Sequence, residues 1–545
     1  MEIELKLLLD PADVAAFRRH PLLKQHVVAK PHQQQLTSIY FDTPDLYFRR
    51  HDAALRVRAV SERGGHQFSA GPPQGKSAPS GGRELHAVSE RGGHIHHWVQ
   101  TLKAGGQVAA GLHQREEWES RVEGPRPELA ALIALVGPGS AWAKVLSARA
   151  LAERLVPVFT TRVRRTTWLL RLPQGDEVEL ALDQGEVQHG AAQLPISEIE
   201  LELKSGDAAR LFDFILALLK TVPLRVGNIS KAERGYALHA PQPPAVVEAA
   251  RLDLAPGLTV EQGFQAIIGN CLVQVQGNEA GMAQGSNPES VHQMRVGLRR
   301  LRSALGLFGK VAPCPAALQQ ELVWLAGELG AARDWEVFAG DTLGQVAAAF
   351  PDQAQWAPLR QAAFNVARKN RQEAAAAVGS VRYTRLLLSL GGWLQGARWR
   401  EAPAPPDQEA LAAPLAPFAM QVLARRHRTL KKRAKQLRGG TPQARHRMRI
   451  AAKNVRYAAG FFQSLCRAER LRPYVAALTG LQAALGGLND ASVADRLLRQ
   501  LAQMHPELAR STGFVQGYLS VHGEREVRKL GKLWRRFALF KPALR

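Results

Sequence analysis

The sequence predicts an α+β chain in two parts: an N-terminal antiparallel eight-stranded β-barrel with a charged lumen, then an all-α bundle built by duplication. Three observations carry that expectation. Over the first 240 residues, short runs alternate polar and apolar positions with period two, the mark of strands with two unlike faces. Beyond residue 257 the pattern becomes long Ala-, Leu- and Arg-rich segments of helical period. Within that second region a unit about 154 residues long occurs twice.

A chain of 545 residues is long for one core, so two to four domains are expected. With 46% hydrophobic and 22% charged residues it reads as a soluble globular protein. The opening "MEIELKLLLD" carries Glu2, Glu4 and Lys6, which a signal peptide's apolar core excludes. No apolar run reaches the roughly eighteen residues of a membrane span. Cys271, Cys314 and Cys466 are scattered and odd in number, against a disulfide framework or zinc site. These features predict a cytoplasmic protein without membrane contact.

The net charge of +24 is unevenly placed. Residues 1–250 hold 30 Lys/Arg against 28 Asp/Glu, whereas residues 251–545 hold 42 against 20. The second half therefore calls for an anionic partner.

In chain order, "EIELKL" sets Ile3, Leu5 and Leu7 opposite Glu2, Glu4 and Lys6. "ALRVRA" sets out Arg56 and Arg58, "WVQTLK" ends on Lys103, and "REEWES" carries Arg115, Glu117 and Glu119. "DEVELALD" ends on Asp183, and "EIELELK" sets Glu198, Glu200, Glu202 and Lys204 against Ile199, Leu201 and Leu203. Helices are expected over Pro127–Val136 and Asp207–Val222. The octapeptide "AVSERGGH" occurs at Ala59–His66 and again at Ala87–His94, around a Gly/Pro/Ser-rich stretch. Residues 59–94 thus read as a looped-out insert in a hairpin, with His94, His96 and His97 as solvated loop residues. The Pro- and Ala-rich segment 241–256 reads as a linker between a first domain, 1–240, and a second, 257–540.

One wet sheet face would explain any single strand. Together, however, the strands concentrate Glu and Arg with few neutral polar residues, which suits a closed barrel with a charged, water-filled interior. Carboxylates fit a hard divalent cation such as Mg²⁺ or Mn²⁺, and Arg and Lys fit phosphate oxygens. Metal with phosphate clamps is the equipment of phosphoryl transfer.

"EIELK", "IYFDTPD", "ALRVR", "QTLK", "GLHQREE", "ALDQGEV", "EIELELKSG" and "SKAERGY" together resemble, in order, the CYTH superfamily of triphosphate tunnel metalloenzymes. The combination is most similar to bacterial inorganic triphosphatases and covers residues 1–240. The resemblance implies metal binding by Glu2, Glu4, Glu200 and Glu202, helped by Asp183 and Glu117. It implies triphosphate binding by Lys6, Arg56, Arg58, Lys103, Arg165 and Lys231, with catalysis resting on Glu4, Lys6 and Glu117. Glu119, Arg162 and Arg164 would be rim charges. The insert departs from the family pattern between Arg58 and Lys103, and would displace Lys103 if it disturbed that hairpin.

In the second half, "VHQMRVGLRRLRSALGLF" aligns with "RHRMRIAAKNVRYAAGFF". His292, Arg295, Arg299 and Arg302 fall on His446, Arg449, Lys453 and Arg456, and Phe308 falls on Phe462. "LGAARDWEV" falls on "LGGLNDASV", matching Asp334 to Asp490. Met294, Leu298, Leu301, Leu305 and Phe308 form an apolar face for a bundle core. The basic set beside it has no interleaved acid, and like charges at such spacing destabilise an isolated helix. An external polyanion would compensate them. Nucleic acid fits poorly: single-strand binding needs aromatics and duplex readout needs Asn and Gln, whereas this stripe is nearly pure charge. The two copies resemble the CHAD domain, which implies binding of linear polyphosphate. "RRHRTLKKRAK" (Arg425 to Lys435) and "REVRKLGKLWRR" (Arg525 to Arg536) would extend the groove.

The expectation is therefore a metal-dependent hydrolase of inorganic triphosphate with a polyphosphate-binding domain, cytoplasmic and located at polyphosphate granules. Two alternatives stay open: a non-catalytic polyphosphate-binding or granule protein whose tunnel only senses phosphate, and a nucleic-acid binder.

Overall fold

The computed structural model describes residues 2–62, 95–283, 287–351, 356–402, 407–439 and 441–541. The chain divides into two compact units, 1–242 and 243–545.

Among the described residues the first unit is built on nine strands: β1 Glu2–Leu9, β2 His32–Asp42, β3 Ala53–Glu62, β4 Ile95–Ala109, β5 Leu112–Val122, β6 Val156–Arg171, β7 Glu177–His189, β8 Ala192–Ser205 and β9 Leu224–Val226. Neighbours run β5-β4-β3-β2-β6-β7-β8-β1, and β5 pairs with β1 to close an eight-stranded antiparallel barrel. β1 is the closing strand. Its first half pairs with β5 (Glu2 opposite Arg115), and its last three residues pair with the short β9. At the changeover the Lys6 N–H donates to the Gly111 carbonyl and the Gly227 N–H donates to the Lys6 carbonyl. Gly111 sits at φ +80°, and a Cβ there would lie 2.9 Å from that same Lys6 carbonyl, so only glycine serves.

The period-two pattern is realised with the charged set inward. Leu5, Leu7, Leu55, Val57, Ile199 and Leu201 are buried on the outer face. There, Phe41, Phe48, Leu55, Val57 and Leu102 form one core with the helices Leu129–Val136 and Ala141–Leu146. The helix Ala208–Leu218 packs on β1 and β8. Phe17, from the helix Val14–Arg18, meets Trp168 edge-on at 5.9 Å. Covering the outer apolar face with helices leaves the inner face free for charge.

The helix Lys231–His239 is fixed by a capping box between Ser230 and Glu233 and packs on β6, β7 and β8. Next to it Leu36, Tyr40, Val163, Val187, Ile196 and Tyr236 fill the barrel with apolar bulk. The β3–β4 pairing runs from Ala53/Ala104 to Ser61/Ile95, with Ala54 opposite Lys103 and one register shift between Val60 and Ser61, so the hairpin stem is formed. The rest of the proposed insert, residues 63–94 with His94, lies outside the described residues.

The second unit is helical. Its main helices are Val260–Gln276, Pro288–Phe308, Ala316–Val337, Trp356–Val378, Val381–Gln395, Leu415–Lys435, Pro442–Phe461, Ala468–Met504 and Ala509–Ala538. The two basic helices, Pro288–Phe308 and Pro442–Phe461, open alike. Asn287 and Thr441 cap them through their side chains, and each has proline at the first helical position. The apolar face expected of the first copy is buried: Met294, Leu298, Leu301, Leu305 and Phe308. In the second copy Met448, Val455 and Phe462 do the same. Phe308 and Phe462 meet with ring centroids 6.2 Å apart, so the copies share one core. The two basic helices also pack against each other.

Candidate functional site

The barrel encloses a cavity of about 470 Å³. Alternation along the strands brings Glu2, Glu4, Lys6, Arg56, Arg58, Lys103, Glu117, Arg165, Glu200 and Glu202 to its wall, with Lys231 entering from the capping helix. Glu119, read as a rim charge, lines it as well. Arg164 is on the outer surface, bonded to Gln184 at 3.1 Å, and Arg162 is exposed. Asp183 lies behind the wall, fully buried. Arg165 takes its two oxygens at 2.7 and 2.6 Å, and Lys231 approaches one of them at 2.6 Å.

The floor is a compensated ion network. Lys6 reaches Glu200 at 2.8 Å and Glu198 at 3.3 Å; Lys231 reaches Glu198 at 2.5 Å and Glu200 at 2.7 Å; Arg165 reaches Glu200 at 2.6 Å. Arg234 closes the far side of Glu198. Burial opposes every one of these charges, yet Glu198 and Glu200 hold the Lys6 ammonium above its ordinary range. Lys231, Lys6 and Arg165 likewise hold the Glu200 carboxyl well below its own. Asp183 is brought down to about 2 against burial by Arg165 and Lys231. At the other wall Lys103 bridges Glu2 at 2.7 Å and Glu117 at 3.2 Å, and Arg56 stands 3.7 Å from Glu117.

Several groups lining this cavity are shifted away from their charged forms: burial raises Glu2 and Asp52 and, with Lys6, lowers His113 to about 3. Burial, and then the neighbouring Glu200 carboxylate, raise Glu4 to about 7 although Lys6 lies 3.8 Å away. Burial, and then the guanidinium groups of Arg56 and Arg165, lower Arg58 to about 10, with Ser38 accepting from its Nε at 3.1 Å. The cavity therefore asks for positive charge at Glu4 and negative charge at Arg58.

Hard carboxylate donors for a divalent cation, Glu2, Glu4 and Glu202, line the wall, with Glu2 bridged by Lys103 and Glu202 by Lys204, each at 2.7 Å, and burial with Glu200 strains Glu4 toward a proton or a cation. The oxygens of Asp183, Glu198 and Glu200 also converge closely enough to hold an ion, but Lys6, Arg165, Lys231 and Arg234 already neutralise them. Sequence reasoning missed Glu198 as the hub of the floor, Glu179 on the wall and Arg234 behind it. Glu198 was legible as a member of the charged face; its partners were not.

In the helical unit the basic residues do not form two separate stripes. Arg299, Arg302, Arg449 and Lys453 line a single groove of about 580 Å³ between the two basic helices. Arg299 and Arg449 each keep a buried Nε without a hydrogen-bond partner. Arg295 meets Asp334 at 3.4 Å, and Asp334 meets Arg496 at 3.5 Å, so this aspartate supplies partial compensation from a neighbouring helix. Burial with Arg333 lowers the His292 imidazole, which favours its neutral form. Arg302, His446 and Arg456 are exposed, and Arg456 donates to Gln482 at 3.1 Å.

The structure thus comprises a β-tunnel with a charged lumen and a duplicated helical bundle with a basic seam. Residues 1–236 match the CYTH domain family and residues 266–499 match the CHAD domain family. The chain carries a CYTH domain followed by a CHAD domain. An inorganic triphosphatase of Haemophilus influenzae is 30% identical over 242 residues, 44% of this chain and 56% of that protein. The matched region spans little more than half that relative's length. The crystal structure of the CHAD domain from the plant Ricinus communis is 39% identical, covers 55% of this chain and 98% of that one, and superposes with a TM-score of 0.50.

Proposed function

We propose that the tunnel hydrolyses inorganic triphosphate to pyrophosphate and phosphate with bound Mg²⁺ or Mn²⁺, and that the helical groove holds linear polyphosphate. The observation that carries the reading is one cavity of about 470 Å³ lined both by carboxylates, Glu2, Glu4 and Glu202, and by cations, Arg56, Arg58 and Lys103; the opposed charges of Glu4 and Arg58 agree with it. A metal-bound condensed phosphate answers both together. The Haemophilus relative's triphosphatase activity supports the same substrate class.

Arg56, Arg58 and Arg165 grip the phosphate oxygens, with Lys6, Lys103 and Lys231 adding N–H donors around them. Glu2, Glu4 and Glu202 would hold the metal, which when bound polarises a phosphoryl oxygen. Glu117, kept ionised against burial by Lys103 and Arg56, orients the attacking water and takes its proton. The water oxygen bonds to the terminal phosphorus, the bridging P–O bond breaks, and pyrophosphate leaves against the Lys6–Lys231 floor. The lumen is lined by charge and offers little to read an organic leaving group, which favours the bare triphosphate.

The decisive measurement is phosphate release from tripolyphosphate with and without chelator. Release that stops on chelation and is lost in Glu4→Gln supports the tunnel reading; release indifferent to both ends it. For the groove, long polyphosphate is set against duplex DNA at physiological salt, because any polycation binds both at low salt. Equal affinity would remove the polyphosphate assignment and restore the nucleic-acid alternative. Polyphosphate binding would also place the protein in the cytoplasm at polyphosphate granules. Among the described residues no helix is long and apolar enough to cross a membrane.

A further inference from the structure

The groove is lined by Arg299 and Arg302 of the first basic helix, by Arg449, Ile450 and Lys453 of the second, and by Leu322 and Val323 of the helix Ala316–Val337. Val323 and Ile450 are 54% and 45% exposed, so bare apolar surface lies among the cations. A phosphate chain uses only the cations. Cations and apolar side chains in one groove fit a ligand with an anionic head and an organic body.

Lys453 differs from the lysines of the barrel. Lys6 and Lys231 each touch at least two carboxylates and stay protonated. The charged groups facing Lys453 are Arg299 and Arg295 of the first basic helix, Arg449 of its own helix, and Asp490 of the long helix Ala468–Met504. Among the described residues no carboxylate forms an ion pair with its Nζ. Burial and the three guanidinium groups lower its ammonium to about 7, so free amine is abundant at neutral pH.

We propose that this groove captures phosphorylated aldehydes, the phosphate held by Arg299, Arg302 and Arg449 and the carbonyl attacked by Lys453. The Nζ lone pair bonds to the carbonyl carbon, and the C=O π electrons move to oxygen. The resulting carbinolamine loses water to leave an imine. Amine and aldehyde give imine and water, with no change in oxidation state. The inference rests on these cations forming an anion site, as the polyphosphate reading also holds.

The test treats the full chain with pyridoxal 5′-phosphate at pH 7, traps the imine with borohydride and maps the label by peptide mass spectrometry. Lys453 should label at least about tenfold faster than the exposed Lys431 and Lys432, because an ordinary lysine is almost wholly protonated at that pH. Lys453→Met should remove that label in a chain that still unfolds cooperatively, with a melting temperature no lower than the parent's. Labelling of Lys453 no faster than Lys431 overturns the proposal, as does equal labelling by pyridoxal lacking the phosphate. Preincubation with long polyphosphate separates the two readings. Protection supports both; rapid labelling without protection upholds the aldehyde site and removes polyphosphate from this groove.

Discussion

Lys6 in the barrel and Lys453 in the bundle are lysines withdrawn from water, and their surroundings treat them in opposite ways. Glu198, Glu200 and Glu4 surround Lys6 and hold its charge. Lys453 faces Arg295, Arg299 and Arg449 with Asp490 as counterweight, and its charge is opposed. The tunnel carries its own counterions and leaves local deficits of both signs; the groove leaves a general excess of one sign. The first arrangement suits a metal-bound anion of fixed size, the second a polyanion that brings its own charge.

The sharpest way to break this comparison is at Glu4. Glu4→Gln should lower kcat for tripolyphosphate by about a hundredfold or more, read as phosphate release at saturating metal. Next in size, Arg58→Ala should raise KM by roughly ten- to a hundredfold, since charge-assisted hydrogen bonds contribute about 1.5–3 kcal/mol. Its melting temperature should not fall, because the removed charge is opposed in the free protein. A lowered melting temperature with unchanged KM would assign Arg58 to the scaffold.

The pH dependence of Glu4 follows from its raised value. Between its ordinary 4.5 and about 7 the folded protein holds a proton that the unfolded chain releases, so this group's contribution to stability falls as pH rises through that window. A divalent cation competes with that proton. Metal affinity, followed by calorimetry, should fall up to about tenfold per pH unit below 7 and level off above it; Glu4→Gln should flatten the profile.

Lys453 shows the opposite case. Its value is lowered from 10.5 to about 7, so the cost of its charge is complete below 7 and is relieved as pH rises toward 10.5. Lys453→Met should therefore raise the melting temperature at pH 6 and low salt, with the gain shrinking above pH 8. The same variant should weaken polyphosphate binding several-fold and reduce its salt slope by about one. Asp334→Asn should give the smallest change, a tightening of polyphosphate by a few-fold at most, because it removes a partly exposed acid from beside Arg295 and Arg496.

Much of this was written along the chain. The alternation in "EIELKL" and "EIELELK" determined which side chains share a face, because the strand period is two whatever the fold. The 154-residue repeat determined that His292 and His446, or Arg299 and Lys453, are equivalent positions. An unread local signal agreed with it: Asn287–Pro288 and Thr441–Pro442 are cap-and-proline pairs at the same offset, each opening a basic helix. Tertiary structure decided the rest. Barrel closure turned one charged face into an enclosed cavity, and helix packing turned two basic stripes into one groove. Which cation neutralises Glu198, and which acid reaches Arg295, depends on elements tens to nearly two hundred residues apart. The physical reason is that a charge's worth depends on burial and on neighbours a few ångströms away, and sequence spacing sets those only within one strand or one helical turn.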